Sequence, residues 1–283
     1  MSPAGAAAPA GAVGIAWATT MPSPFDPAAV RDIDDVIDAL GAIVDDARER
    51  GARFGLFAAL YRRTTQEVRR ALRSGAFHDP AWVERLDVVF AHRYLQAFAD
   101  FHAGRSTTAA WAHAFERGRE PGHLVLQHLL LGMAAHILLD LGVATNDTCE
   151  GPLAPRRADF VAINRVLGEM LDTVQDDLNT VSPALAWIDR AGGRWDERAA
   201  IATLRRWRSA AWRRAVRLAA IPSEERTVRV NRIDRATLRV ARQLCAPADS
   251  FAGAASSRLL GWIGRHESDD VPALIDAITG PGR

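Results

Sequence analysis

The chain has 283 residues, of which 48% are hydrophobic, enough to build a sizeable core in one large domain or two small ones. Its 35 basic and 34 acidic residues give a formal net charge of +1. This balance does not suggest the basic surface of a nucleic-acid-binding protein or a polybasic membrane anchor. Every Lys/Arg position is arginine, so chemistry through a Schiff-base lysine or a lysine general base is excluded.

Cysteine content and the N-terminal segment bear on where the protein works. Cys149 and Cys245 are too few and too far apart for a disulfide framework, so we expect a cytoplasmic protein. Residues 1–24 are rich in Ala, Gly and Pro and lack the positive start and unbroken apolar run of a secretory signal. We therefore expect a disordered leader over 1–24 and a single domain over 25–283.

Helical periodicity and helix start signals recur along the whole chain. An aspartate followed by proline, the pattern of an N-cap before the first helical residue, occurs at Asp26-Pro27 and at Asp79-Pro80. There is no convincing strand alternation, fixed-period repeat or long linker. The fold class is therefore predicted to be all-α, a single bundle-like domain. The predicted helices cover 27–50, 53–73, 80–98, 107–118, 121–144, 157–181, 184–191, 196–220, 223–245, 254–267 and 271–279.

The helix over 121–144 is the most apolar of these and is predicted to be central. A helix that is hydrophobic all round is either buried in a protein core or spans a membrane. Here Gln127, His128, His136 and Asp140 interrupt the apolar run before it reaches about 18 residues, so no membrane span is predicted. Burying a polar group without a hydrogen bond costs roughly 2–7 kcal/mol, so these side chains must have partners.

Spacing brings His136 and Asp140 together, because residues four apart lie on one face of a helix. Such a pair suits two kinds of site. It can supply two metal ligands, or the carboxylate can orient the imidazole for proton transfer. His128 lies about 12 Å before His136 at 1.5 Å per residue. A third interpretation is that the pair simply ties two helices together.

A metal site would require one or two further ligands from neighbouring helices. The sequence offers four candidates and does not choose among them, namely His92, Asp159, Asp172 and Asp176. In the Arg-rich stretch 205–214 we expect Trp207 and Trp212 to pack inward while the arginines pair with acids. The alternative for Arg208 is that it reaches inward to an anionic group of a substrate.

Several segments resemble a family of uncharacterised all-helical proteins common in actinobacteria, described only as a domain of unknown function. The resemblance covers roughly 25–220 and is carried by 127–132 (QHLLLG), 135–137 (AHI) and 140–144 (DLGVA). Further matching residues are Phe90, Arg93 and Tyr94 upstream, and Asp159-Phe160, Ile163-Asn164, Val174-Gln175 and Ala211-Trp212 downstream. The family has asparagine where this chain has Ala134 and Leu138, which implies a more apolar site here.

The His-x-x-x-Asp spacing is also weakly similar to that of zinc-dependent phospholipases C and related single-strand nucleases. In those all-helical enzymes the pair binds metal, together with further His and Asp ligands. Those enzymes usually also have an N-terminal tryptophan as a metal ligand, whereas Trp17 lies in the segment predicted to be a disordered leader. The similarity implies a divalent metal only as an alternative.

We predict His136 as general acid/base, Asp140 as the group that orients it, and His128 as a further catalytic contact. The predicted substrate-binding side chains, most of them from the matching segments, are Gln127, His92, Arg93, Tyr94, Asn164 and Trp212. The favoured function is an enzyme of bacterial specialised metabolism that needs no cofactor. It would perform cyclase-, isomerase- or lyase-type acid/base chemistry on a small hydrophobic substrate.

Two alternatives stay open, and neither involves nucleic acid or a membrane span. One is a metal-dependent hydrolase in which His136 and Asp140 hold a divalent metal. The other is a non-catalytic binding or scaffold protein in which both residues, with His128, are only structural. The oligomeric state does not follow from the sequence.

Overall fold

The computed structural model describes residues 23–120, 124–168, 195–245 and 268–280. Within these ranges the backbone forms nine α-helices and no β-strand, which confirms the predicted all-α class. The helices are α1 (Ile33–Arg50), α2 (Gly55–Arg73), α3 (Pro80–His102), α4 (Ala109–Arg119), α5 (Val125–Asp147), α6 (157–168), α7 (Trp195–Ala219), α8 (Ser223–Leu244) and α9 (Val271–Thr279). The predicted helices over 184–191 and 254–267, and the second half of 157–181, lie outside the described residues.

One helix start differs from the prediction. Asp26 accepts a hydrogen bond from the backbone N–H of Ala28, but only a 3₁₀ turn, Pro27–Ala29, follows it. The chain is extended at Asp32, whose carboxylate accepts the N–H of Asp35 at 2.8 Å, and α1 begins at Ile33. The helix was predicted to start too early because a second aspartate, closer to the apolar stripe, is its cap.

Helix α5 is the centre of the fold, as its composition predicts. Helices α2, α3, α4, α7 and α8 all pack against it. By length and composition alone α5 is apolar enough to cross a bilayer, yet 89% of its most apolar window is buried inside the protein, as in the core helix of a globular domain. That burial matches the expectation of a helix wrapped by the others.

Two glycines let neighbouring helices approach α5 closely. A Cβ atom on Gly132 would lie 2.3 Å from the ring of Phe57 on α2. A Cβ on Gly142 would lie 2.9 Å from the carbonyl oxygen of Ala211 on α7. Because neither distance is compatible with a real side chain, glycine at these positions brings α2 and α7 into contact with α5.

The middle of α5 departs from regular α-helical geometry. Residues Ala134–Asp140 form a π-helical segment, with hydrogen bonds between residues five apart, and both His136 and Asp140 belong to it. Single π-helical turns inside α-helices are rare and frequently occur at functional sites. The irregular segment therefore coincides with the pair that the sequence singled out.

Two apolar clusters form the core and meet beside this segment. The first joins α1, α2, α4, α9 and the C-terminal half of α3. The second joins the N-terminal half of α3, the second half of α5, α6 and α7. Phe90 and Met133 pack against both clusters, so they mark the junction.

Candidate functional site

A cavity of about 90 Å³ lies at the junction of the two clusters, between α2, α3, α5, α6 and α7. A single buried water needs a cavity of about 10–15 Å³, so this cavity has room for a small organic molecule. Its wall is predominantly apolar. The polar side chains that line it are Tyr61, Thr64, Asp87, His136 and Arg208.

His136 and Asp140 form a buried pair beside this cavity. The two residues are 3% and 1% exposed, and His136 Nδ1 lies 3.3 Å from Asp140 Oδ2. Only His136 lines the cavity. The carboxylate therefore holds one ring nitrogen of His136, while Nε2 has no hydrogen-bond partner among the described residues.

Asp140 is fixed by donors from two other helices. Arg93 on α3 donates from Nε to Asp140 Oδ1 at 2.9 Å, and Trp111 on α4 donates from Nε1 to Oδ2 at 2.7 Å. The guanidinium neutralises the buried carboxylate, and the indole N–H satisfies a second lone pair. The structure thus assembles a chain of contacts from Arg93 through Asp140 to His136.

The imidazole of His136 is enclosed by aromatic rings. It stacks on Phe90, with ring centroids 3.5 Å apart and planes inclined by 7°, and the ring of Tyr61 lies 4.5 Å away. Burial lowers the pKa of His136 below its usual value, against the opposing effect of Asp140. The ring is therefore neutral at pH 7, and donation of Nδ1–H to Asp140 makes Nε2 a bare lone pair. Within the described residues Nε2 has no hydrogen-bond partner.

Two polar groups of the cavity were not anticipated from the sequence. Burial, together with the nearby Glu84, raises the pKa of Asp87 to about 7, and its Oδ2 has no hydrogen-bond partner in the described structure. The Tyr61 hydroxyl also lacks one there, and burial raises its pKa well above the usual value, so it stays an O–H donor. A signal existed for Asp87, because it interrupts the apolar stripe of Val83, Phe90 and Tyr94 at helical spacing.

Arg208 on α7 is buried in the cavity wall at 4% exposure. Its Nε donates to Asn164 Oδ1 at 2.6 Å and its Nη2 to the carbonyl oxygen of Phe160 at 3.0 Å. The guanidinium also lies 4.7 Å from the centre of the Phe160 ring. Burial lowers the pKa of Arg208 to about 10, which still leaves it charged at pH 7. Asn164, a predicted substrate-binding residue, does not line the cavity itself but is hydrogen-bonded to Arg208, which does.

The remaining predicted residues lie away from this cavity. Gln127 caps α5 by accepting the N–H of Leu124 at 3.0 Å, and His92 Nε2 lies 2.7 Å from the carbonyl oxygen of Val30. Trp212 packs inward with its ring 5.0 Å from Phe160. The structure does not bring these three side chains to His136.

His128 and Tyr94 belong to a second, smaller cavity. Its volume is about 20 Å³, and both residues line it together with Gly132 and the aromatic side chains of α4. His128 is 6% exposed, so the prediction that it is buried is confirmed. The structure nevertheless places it in a different cavity from His136, and Phe57 lines both cavities.

The surroundings of Asp140 can be compared with those of a metal ligand, the alternative role considered for His136 and Asp140. Across the described ranges, no three His, Cys, Asp or Glu side chains come together in a way that would hold a metal ion. Asp159 accepts the backbone N–H groups of His78 and Asp79, each at 2.8 Å, and Asp172 and Asp176 lie outside the described residues. Asp140 itself faces a guanidinium and an indole N–H, surroundings that fit a carboxylate held by donors better than a metal ligand.

Comparison with known proteins identifies a family but no activity. No curated protein and no solved structure matches the chain. A family model described as a family of unknown function (DUF5995) matches residues 33–247, which include α1 to α8 and every polar residue of the cavity. The chain therefore belongs to this family of unknown function.

Proposed function

We propose that the protein is an enzyme that moves a proton on a small apolar molecule bound in the 90 Å³ cavity, with His136 as the general base. One observation carries the proposal. His136 is buried in the cavity wall, its Nδ1 is held by Asp140, and its Nε2 has no partner among the described residues. A neutral imidazole fixed in this way has at Nε2 a lone pair that can accept a proton.

The contacts around Asp140 support this role. When Nε2 takes a proton from a substrate, the ring becomes a cation in a buried site. Asp140 lies 3.3 Å from Nδ1 and stabilises that cation, while Arg93 and Trp111 keep the carboxylate from turning away. A buried His–Asp pair with a purely structural role would not require a cavity beside the histidine.

Asp87 supplies a second proton carrier in the same cavity. Because burial and Glu84 raise its pKa to about 7, a substantial fraction of this carboxyl is protonated near neutral pH. It can return a proton to the substrate at another atom after His136 has removed one. Two titratable groups whose environments differ in this way are typical of paired acid and base roles.

Removing a proton at one atom and adding one at another is the chemistry of isomerisation, elimination or cyclisation. The apolar wall favours a hydrophobic substrate, as products of bacterial specialised metabolism often are. We keep the cytoplasm as the proposed location, which the unpaired Cys149 and Cys245 support.

The test uses proton exchange, because exchange can be detected in a mixture before the substrate has been identified. The intact protein is incubated in D₂O with a fractionated metabolite extract, and each component is followed by mass spectrometry. We expect at least one apolar component to be converted or to gain deuterium with the wild type and with His128→Gln, but not with His136→Gln. His128→Gln is the matched control, a buried histidine on the same helix that lines the other cavity.

Two outcomes would contradict the proposal. One is a folded wild-type protein that changes no component of the extract. The other is a folded His136→Gln variant that converts the same component at the wild-type rate.

A further inference from the structure

Arg208 is a buried cation whose counter-charge is missing from the described part of the chain. It is 4% exposed, and no acidic side chain of the described residues lies within 4.0 Å of it, including Asp87 in the same cavity. Its two hydrogen-bond partners, the Asn164 amide and the Phe160 carbonyl, are neutral. Burying a charge without an opposite charge is costly, so an anion that enters the cavity would remove this cost.

The hydrogen bonds of Arg208 also leave a defined face of the guanidinium for such an anion. Nε and one N–H of Nη2 are occupied, by Asn164 and Phe160. Nη1 and the second N–H of Nη2 form the other edge, which has no acceptor among the described residues. Two parallel N–H groups of this kind match the two oxygens of a carboxylate.

From this geometry we propose that the cavity binds a small apolar monocarboxylate, with the carboxylate on the free edge of Arg208 and the hydrocarbon part against the apolar wall. The identity of the carboxylate as a substrate rests on the proposed function, in which His136 carries out the reaction. Binding of the carboxylate to Arg208 does not depend on that function. A small apolar monocarboxylate is then the substrate class on which His136 would act.

The charge balance favours a carboxylate over other ligands. Arg208 is the one cation that lines the cavity in the described structure, so a monoanion neutralises it. A phosphate monoester would add a second negative charge near Asp87, in a wall that is otherwise apolar. A neutral amide or alcohol would leave the buried charge uncompensated.

Asn164 offers a way to test the counter-charge without removing the arginine. Its Oδ1 lies 2.6 Å from Arg208 Nε, so Asn164→Asp places a carboxylate of nearly the same shape beside the guanidinium. The chain would then supply its own anion. We expect this variant to be at least as stable as the wild type and to lose its affinity for carboxylates.

The experiment measures binding of matched ligand pairs to the intact protein by isothermal titration calorimetry, using hexanoate against hexanamide and benzoate against benzamide. Hexyl phosphate serves as the dianion. We expect each carboxylate to bind about 10- to 100-fold more tightly than its amide, the usual size of a charge-assisted hydrogen bond. Arg208→Gln and Asn164→Asp should each remove this preference. Arg206→Gln, an exposed arginine on the same helix, should keep it.

The outcomes separate this inference from the proposed function. His136→Gln should keep the preference for carboxylate over amide, because it leaves Arg208 in place, and it should lose the reaction. Equal affinity for acid and amide in the wild type would overturn the inference and leave a proton-transfer enzyme with a neutral substrate. Retention of the preference in Asn164→Asp would also overturn it, and so would tighter binding of hexyl phosphate than of hexanoate.

Discussion

The two buried histidines of α5 show how differently one helix can use the same residue. His128 and His136 are 6% and 3% exposed and lie eight residues apart. His136 belongs to the π-helical segment, has Asp140 at Nδ1 and lines the 90 Å³ cavity. His128 belongs to the regular α-helical part and lines a cavity of about 20 Å³.

Burial alone therefore does not separate the two histidines. The chain of contacts from Arg93 through Asp140 holds His136 at Nδ1, and the same ring lines the larger cavity. The following predictions test whether this difference is one of function.

The largest effect is expected from Asp140→Asn. An asparagine keeps the shape of the side chain but removes the negative charge that stabilises a protonated His136, and it allows the ring to adopt the other tautomer. We expect the proton-exchange rate of the folded protein to fall about 10²- to 10⁴-fold. The rate is measured by mass spectrometry in D₂O.

Asp159→Asn is the matched control for this change. Asp159 is also buried, at 2% exposure, but it holds backbone N–H groups at the start of α3. Its replacement should lower stability and leave the exchange rate of the folded fraction unchanged. If both variants lose exchange equally, the pair at His136 has no special role.

Arg93→Met should have the next largest effect, this time on stability. It leaves Asp140 as a buried carboxylate without its cation. Breaking a fully buried pair costs about 3–5 kcal/mol. Since the Arg93 side chain is 25% exposed, we expect a smaller loss of about 2–3 kcal/mol in the free energy of unfolding. Urea denaturation measures it.

Arg105→Met provides the comparison, because Arg105 makes a surface pair with Asp100 and is 60% exposed. Its loss should stay within about 0.5 kcal/mol. A loss of the same size for both arginines would mean that Asp140 does not depend on Arg93.

The sequence predicted the fold class and the His136–Asp140 pair because both depend on local spacing. Helical periodicity identified α5 as the core helix, and a separation of four residues placed the pair on one face. The partners of Asp140 come from other helices, and Trp111 is 29 residues away in sequence. Periodicity within one helix carries no information about such contacts.

Contacts between helices also decide which cavity His128 lines and why Arg208 is buried, and spacing within one helix predicts neither. Spacing predicted that His128 and His136 lie on the same broad side of the helix, whereas they line two different cavities. Phe57, which packs against Gly132, lines both. Arg208 is one of several arginines in its stretch of sequence, and only packing against α6 shows that it is the buried one. Asp87 could have been found, because it is a charge within an apolar stripe.

A smaller effect on the free energy of unfolding is expected from Asp87→Asn. This variant tests the polar groups of the cavity that His136 lines and His128 does not. The pKa of Asp87 is raised in the folded protein to about 7, from 3.8. Between these values the folded state holds a proton that the unfolded state releases, so wild-type stability falls as pH rises from about 4 to about 7. Asparagine removes this loss. We expect a gain of about 1–2 kcal/mol at pH 8, reduced by the partial exposure of Asp87.

Urea denaturation at pH 5 and pH 8 measures this gain, which should be smaller at pH 5. Asp38→Asn, at an exposed position on α1, should leave the pH profile unchanged. A gain that is the same at both pH values would contradict the raised pKa of Asp87.

The finest test of the comparison is the protonation state of His136 itself, read from side-chain ¹⁵N chemical shifts. Asp140 accepts Nδ1–H, so at pH 7 we expect the tautomer with a proton on Nδ1 and none on Nε2. Because burial lowers the pKa of His136, the imidazole should stay neutral as pH falls through the usual histidine pKa of 6.5. Its ¹⁵N chemical shifts should therefore stay at the values of a neutral ring. Comparison with His136→Gln assigns the signal. A ring that carries its proton on Nε2 would have no lone pair there to accept a proton, and a ring that becomes charged above pH 6.5 would contradict the lowered pKa. Either result would contradict the role proposed for His136.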